Sequence, residues 1–368
     1  MADGERTPLP GSSPRTRRLL SVSLLLLAGL TVWRLGFQAG PGDLQEFGGP
    51  TMGTTYSVKL VASGLSDAAR ARTAAAIEER LAAVNRLMST HDPDSELSRF
   101  NRFASTAAFA VSPQTLEVFE IAREVSELTG GAFDVTVGPL VAAWGFGVTN
   151  RVPGAPPAAE LAALRDRVGY RRVGVDRASR SLSKDHPEIA CDLSAIAKGY
   201  GVDEVARALV ELGHRDFLIE VGGELRAQGQ RGEGRPWRVA IERPAAGARS
   251  IFAVLELKNA SLATSGDYRN YYEQDGVRLS HLIDPRSGRP VAHALASVSV
   301  VHADAVRADA LATGLAVLGP DRGYALAERE GLAAYFIVRE PGGSFRELAT
   351  ASFPPLERPD PADPRAGG

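Results

Sequence analysis

Asp192-Leu-Ser-Ala-Ile-Ala-Lys-Gly-Tyr-Gly-Val-Asp203 combines a carboxylate and a hydroxyl, Asp192 and Ser194, with Lys198, Gly199 and Gly201. From Lys198 onward Val202, Val205, Ala206, Leu209 and Leu212 recur at helical spacing, and Gly213 stands where a C-terminal cap belongs. The block therefore predicts a loop feeding a helix. Unpaired N–H groups at the helix mouth, the positive end of its dipole and an ammonium would together seat a phosphate, with glycines letting the ligand approach the backbone. A surface helix capped by Asp or Ser gives the same pattern. The chain has neither GxxxxGK[ST] nor GxGxxG, so the common nucleotide-binding loops do not apply.

Two further groups carry reactive side chains. Asp309 and Thr313 are four apart in a predicted helix over 303–318, so they share a face and offer hard oxygen donors of the kind Mg²⁺ accepts beside substrate phosphates. A Thr bonded to its own helix and an exposed Asp would look alike. His281-Leu-Ile-Asp-Pro-Arg-Ser-Gly-Arg-Pro290 places His281 and Asp284 where a strand enters a turn, and histidine is the side chain best suited to move a proton near neutral pH. A satisfied His and a turn-forming Asp is the plainer alternative. Within Gly130–Pro139, Phe133 could cover a flat heterocycle while Asp134 pairs with its polar edge, or the two could be a core Phe and a turn Asp. Glu220-Val-Gly-Gly-Glu224 and Thr264-Ser-Gly-Asp-Tyr268 are Gly-containing bends beside strands.

The elements that must position these groups are legible in outline. Phe47–Val61 predicts a turn and then a strand. Ser66 caps a helix running to about Met88, and Ser112-Pro113 opens another that closes at Gly130-Gly131. Strands are predicted at 216–221, 237–242, 252–257, 278–283, 297–301 and 333–339, and the 303–318 helix ends at Gly319-Pro320. Runs of strands with grouped helices favour α+β over a doubly wound sheet.

Ahead of this domain lie a basic tail over 1–18, ending in Arg15, Arg17 and Arg18, and an apolar run over 19–37. A basic flank before an apolar run is an export signature, with the flank left in the cytoplasm. No small-x-small cleavage site follows, so the segment reads as an uncleaved anchor in preference to a cleaved signal. A linker over 38–46, the main domain over 47–353 and a Pro-rich, disordered tail over 354–368 complete the expected organisation. The net charge of −2 argues against a nucleic-acid partner, and the single cysteine, Cys191, excludes an internal disulfide framework.

The order of these blocks resembles the ApbE family of FAD:protein FMN transferases. The matching stretches are Met52-Gly-Thr, Asp94-Ser-Glu-Leu-Ser-Arg-Phe-Asn101, Gly131–Leu140, Asp192–Asp203, Glu220–Glu224, Ala263–Tyr268, His281–Pro290 and Ala308–Thr313. The resemblance implies an α+β fold that binds FAD in a cleft. It also implies Mg²⁺-dependent transfer of the FMN portion of FAD to a Thr or Ser hydroxyl of an exported acceptor protein, releasing AMP. By resemblance Met52, Ala132, Phe133, Asp134, Asp192, Lys198 and Ile283 contact FAD, and Asp309, Thr313 and the Ala195 carbonyl hold the metal. His281 is expected to take the acceptor proton, oriented by Asp284, while Lys198 neutralises diphosphate charge. The family's Ser-Thr-Tyr reads Ser89-Thr90-His91 here, so His91 would offer the flavin ring a smaller face and leave room for water. Hydrolysis of FAD to FMN and AMP, or flavin binding without catalysis, are the competing functions. The anchor implies an inner or cytoplasmic membrane protein with its catalytic domain on the periplasmic or extracytoplasmic side.

Overall fold

The computed structural model describes residues 44–147, 151–232, 234–245, 250–268, 270–274 and 277–359. The unit Met1–Pro41, with the basic tail and the apolar run 19–37, lies outside them. Among the described residues no helix is long and apolar enough to cross a membrane.

Eight strands form one antiparallel sheet whose spatial order is the chain order. They are β1 (Leu44–Thr51), β2 (Thr54–Val61), β3 (Phe217–Val221), β4 (Glu224–Gln228), β5 (Ala260–Gly266), β6 (Leu295–His302), β7 (Ala333–Arg339) and β8 (Phe345–Ala349). The helices that matter for the site are α1 (Asp67–Met88), α2 (Glu96–Arg102), α3 (Pro113–Leu128), α4 (Ala197–Glu211) and α5 (Ala305–Arg329).

Alternation within the strands decides which side each face covers. In β2 and β3, Tyr56, Val58 and Leu60 stand opposite Val221, Ile219 and Phe217, and these pairs pack beneath Ile77 and Leu81 of α1 and Val202, Val205 and Leu209 of α4. In β7, Ala334, Phe336 and Val338 join the helix-side core, whereas Tyr335 and Ile337 face a small sheet containing Trp237–Glu242 and Ile251–Leu257. The main sheet is thus buried on both faces, with the helices on one side.

Several boundaries differ from expectation for local physical reasons. Gly48-Gly-Pro50 is not a turn: it lies within β1, an edge strand that tolerates proline, and the reversal falls at Met52-Gly53. That strand begins at Leu44, inside the expected linker. The predicted 278–283 strand divides into Val277–Ser280 and Ile283–Asp284. Gly319, at φ 82°, breaks α5 as expected, but Pro320 then starts a second helical stretch to Arg329, where its missing N–H costs nothing. The tail is not disordered throughout: Leu356–Glu357 pairs with Leu255 and Val254, while 360–368 lies outside the described residues.

Candidate active site

The site begins where the N-termini of α4 and α5 meet. Neither N-cap residue, Ile196 or Asp304, caps its own helix through its side chain. Each helix instead receives a carboxylate from the other. Asp309 Oδ2 accepts from the Gly199 N–H of α4 at 2.9 Å, and Asp203 of α4 accepts from Ala305 and Val306 of α5 at 3.1 and 2.9 Å. Both acids are buried, and each satisfies donors that a helix start leaves orphaned. The crossing is close: a Cβ on Gly199 would lie 2.3 Å from the Ala305 carbonyl oxygen. Gly199 therefore serves helix packing, and its N–H is committed to Asp309, so the simple phosphate seat expected at this glycine is corrected. Gly201 likewise faces inward, toward Leu81 and Met52.

Lys198 sits at the second position of α4 with its ammonium between two buried acids. It is ion-paired with Glu224 and stands 3.8 Å from Asp309 Oδ1. Burial pulls the lysine down, but Asp309 and Glu224 carry it above its ordinary value, so it stays charged. Burial and the neighbouring Asp309 push the Glu224 carboxyl up against the pull of Lys198. Two acids thus share one ammonium, an arrangement that favours a further positive charge.

The oxygen donors there suit a hard cation. Asp309 Oδ1 is the carboxylate oxygen not used by Gly199, and the Thr313 hydroxyl, one turn along α5, meets Ser265 Oγ at 3.0 Å. Ala195 precedes the N-cap, and the first rung of the helix, Tyr200 N–H to Ile196 at 3.1 Å, leaves its carbonyl outside the ladder. Carboxylate, hydroxyl and carbonyl are the ligand classes Mg²⁺ takes, and Asp309, Thr313 and Ala195 fit it. Among the described residues no cluster of three or more His, Cys, Asp or Glu forms a separate metal site.

His281 is held by the Asn270 carbonyl, which accepts from both its backbone N–H and its ring Nδ1 at 3.1 Å. A carbonyl only accepts, so Nδ1 carries the proton and Nε2 is left with its lone pair. Burial lowers the imidazole's pKa, while Asp267 and Lys198 act on it in opposite directions through their charge. The ring packs edge-on to Phe146. Asp284 is not its orienting partner. Although burial pushes that carboxyl up, Arg286 closes on both its oxygens at 2.8 and 2.9 Å and holds it below the usual range.

Asp192 lies ahead of α4 in a segment without regular structure. Asn101 pins that segment by donating to the Cys191 carbonyl and accepting from the Cys191 N–H, each at 2.8 Å. Nearby, the buried Lys184 ammonium bonds the carbonyls of Phe100, Asn101, Pro187 and Ile189 at 3.0–3.2 Å. Asp192 itself accepts from the Ser194 N–H and hydroxyl.

The other expected contacts lie in differing surroundings. Met52 is at φ 48° beside Gly53 at φ 73°, the positive-φ pair that the two-residue hairpin turn between β1 and β2 requires. Ala132 and Phe133 are 2% exposed, and Phe133 packs in the main core, which corrects its reading as an open cover for a ring. The Asp134 carboxylate is filled by Thr136 and by the Tyr170 N–H, so it caps a turn. Ile283 is buried beside Leu140 and Trp144. His91 is exposed, and its backbone N–H bonds Ser89 Oγ.

The family model described as ApbE family matches residues 52–336. The chain belongs to the ApbE family. The FAD:protein FMN transferase of Vibrio cholerae is 46% identical over 91% of this chain and 96% of its own length, and that of Haemophilus influenzae 43% identical over 82% and 89%. Solved ApbE structures share the fold. The flavin transferase ApbE of Vibrio cholerae superposes with a TM-score of 0.78 at 44% identity, covering 85% of this chain and 99% of that one. The apo flavinyl transferase ApbE of Pseudomonas stutzeri gives 0.78 at 39% identity, covering 86% and 97%. Within this ApbE chain, Glu224, Asp203, Ser265, Asn101 and the Asn270 carbonyl are the site residues to which sequence reasoning assigned no role. For all but Asn270, which lies between two blocks, the one signal was position inside the ordered blocks, since their partners are distant in sequence.

Proposed function

We propose that this chain transfers the FMN portion of FAD to a Thr or Ser hydroxyl of an exported acceptor protein, with Mg²⁺, and releases AMP. The observation that carries the proposal is the convergence of a charged Lys198, the oxygen donors Asp309 and Thr313, and a His281 whose Nε2 is free to accept a proton. The names of the relatives support the same reading. Asp309, Thr313 and the Ala195 carbonyl would hold Mg²⁺, which supplies neutralisation of charge on the diphosphate. Lys198 binds the diphosphate and offsets the negative charge that grows on the departing AMP. His281 Nε2 takes the proton of the acceptor hydroxyl as its oxygen bonds the FMN phosphorus and the bond from that phosphorus to the bridging oxygen breaks. The Asn270 carbonyl keeps the ring in the tautomer that permits this. Met52, Asp192 and Ile283 complete the FAD contacts, and His91 borders the flavin. The basic flank and apolar run of residues 1–37 support delivery of the domain to the periplasmic face of the inner membrane.

His281→Ala is the test of the proton transfer. The variant should bind FAD as the parent chain does, yet transfer FMN at least a hundredfold more slowly, within the range of about 10²–10⁴ for a general base. Full transfer rate with normal FAD binding would refute the role.

A further inference from the structure

The Glu220-Val-Gly-Gly-Glu224 turn has no part in the chemistry above, yet it is the element that grips Lys198. Val221 and Glu224 are paired across it, and Gly222 and Gly223 both take positive φ, 59° and 107°. A Cβ on Gly222 would lie 2.8 Å from Thr54 Cγ2 and 3.1 Å from Lys198 Cδ, so the bare backbone leaves the lane along which the lysine stem runs. The Gly222 N–H bonds the Thr55 carbonyl at 3.0 Å, and Glu220 accepts from the Gly223 N–H at 2.9 Å, which fixes the turn. Glu224, 4% exposed, then closes its Oε1 on the ammonium. Asp309 Oδ1 is 3.8 Å from the same ammonium, close enough for attraction but beyond hydrogen-bond distance.

We propose that Glu224 is a positioning residue that holds Lys198 off Asp309 and so keeps Asp309 Oδ1 open to a divalent cation. The inference rests on Asp309 being a metal ligand. Asp309 has one oxygen committed to Gly199 and one facing the lysine. If nothing else held the ammonium, it would close on that second oxygen, where burial strengthens the attraction. A metal would then have to displace an ion pair in order to bind. With its ammonium seated on Glu224, the lysine is satisfied from the side of the turn. The Gly-Gly pair is the geometric condition, because only a left-handed, side-chain-free corner lets the strand bring Glu224 past the lysine stem.

Mn²⁺ alone, titrated into the full chain and followed by the electron paramagnetic resonance of the free ion, reads this without turnover. Glu224→Gln, which preserves shape and removes charge, should weaken Mn²⁺ binding by about tenfold, the lower end for a partner standing behind a metal's ligands. Adding Lys198→Met should restore affinity by removing the competing ammonium. Lys198→Met alone, which leaves Glu224 in place, should bind Mn²⁺ at least as tightly as the parent chain. Parental affinity in Glu224→Gln would overturn the inference. A double variant that stays weak would also overturn it, because Glu224 would then be acting as a ligand, and so would weaker binding by Lys198→Met alone. If Asp309→Asn leaves the parental Mn²⁺ affinity unchanged, the assignment of Asp309 as a ligand fails instead.

Discussion

Replacing Asp309 by Asn and, separately, by Ala divides its duties. Its Oδ2 caps the Gly199 N–H of α4 at 2.9 Å, while its Oδ1 faces Lys198 at 3.8 Å and is the oxygen assigned to the metal. Ala removes a hydrogen bond to a charged group and leaves a buried N–H unpaired, a loss of about 2–3 kcal/mol. Asn keeps an oxygen for the cap and loses only the charged part of the bond, about 1 kcal/mol. For a domain of this size each kcal/mol moves the melting temperature by about 2 °C, so Ala should melt about 4–6 °C below the parent chain and Asn about 2 °C below. Both variants should lose Mg²⁺-dependent transfer by about a hundredfold or more, the equivalent of at least about 3 kcal/mol of charge stabilisation. Differential scanning calorimetry beside a transfer assay separates the two readouts. Equal destabilisation by Asn and Ala would refute the cap, and near-parental Mg²⁺-dependent transfer by Asn would refute the metal assignment.

Gly199→Ala should force α4 and α5 apart and cost about 1–3 kcal/mol, read as a lower melting temperature, because its Cβ would meet the Ala305 carbonyl oxygen at 2.3 Å. His281 must be neutral to accept a proton, and burial lowers its pKa, so transfer should be flat through neutral pH and fall only as pH drops below the usual histidine range. A pH–rate profile checks this, and a limb at or above pH ~7 that His281→Gln abolishes would contradict the burial argument. Asn101→Ala should raise KM for FAD with little change in kcat, since it frees the Cys191 backbone that leads into Asp192; a pure fall in kcat would show a different role.

Helices announced by local caps were legible in the sequence. Ser66 accepts from Ala69 and Ser112 from Thr115, as their positions before apolar-periodic runs imply. The α2 helix inside the Asp94–Asn101 block was not, although Ser95 caps it, because only seven residues carry its pattern. The site residues were visible as types but not as partners. Asp284 is three residues from His281 in sequence, but Arg286, two residues on, takes its carboxylate, and the histidine is oriented by a backbone carbonyl that no side-chain pattern encodes. The capping roles of Asp203 and Asp309 were not legible, because the donors they cap belong to another helix. Glu224 looked like one end of a glycine turn because its contact with Lys198 spans 26 positions.

Transfer itself is tested most directly by weighing an acceptor. The full chain is incubated with FAD, Mg²⁺ and a Thr-containing acceptor domain from a flavinylated protein, with and without chelator, and the acceptor is examined by intact-mass spectrometry. The proposed transferase gives a mass gain equal to FMN, abolished by the chelator and matched by the AMP released. An acceptor of unchanged mass beside free FMN and AMP would contradict transfer and establish hydrolysis.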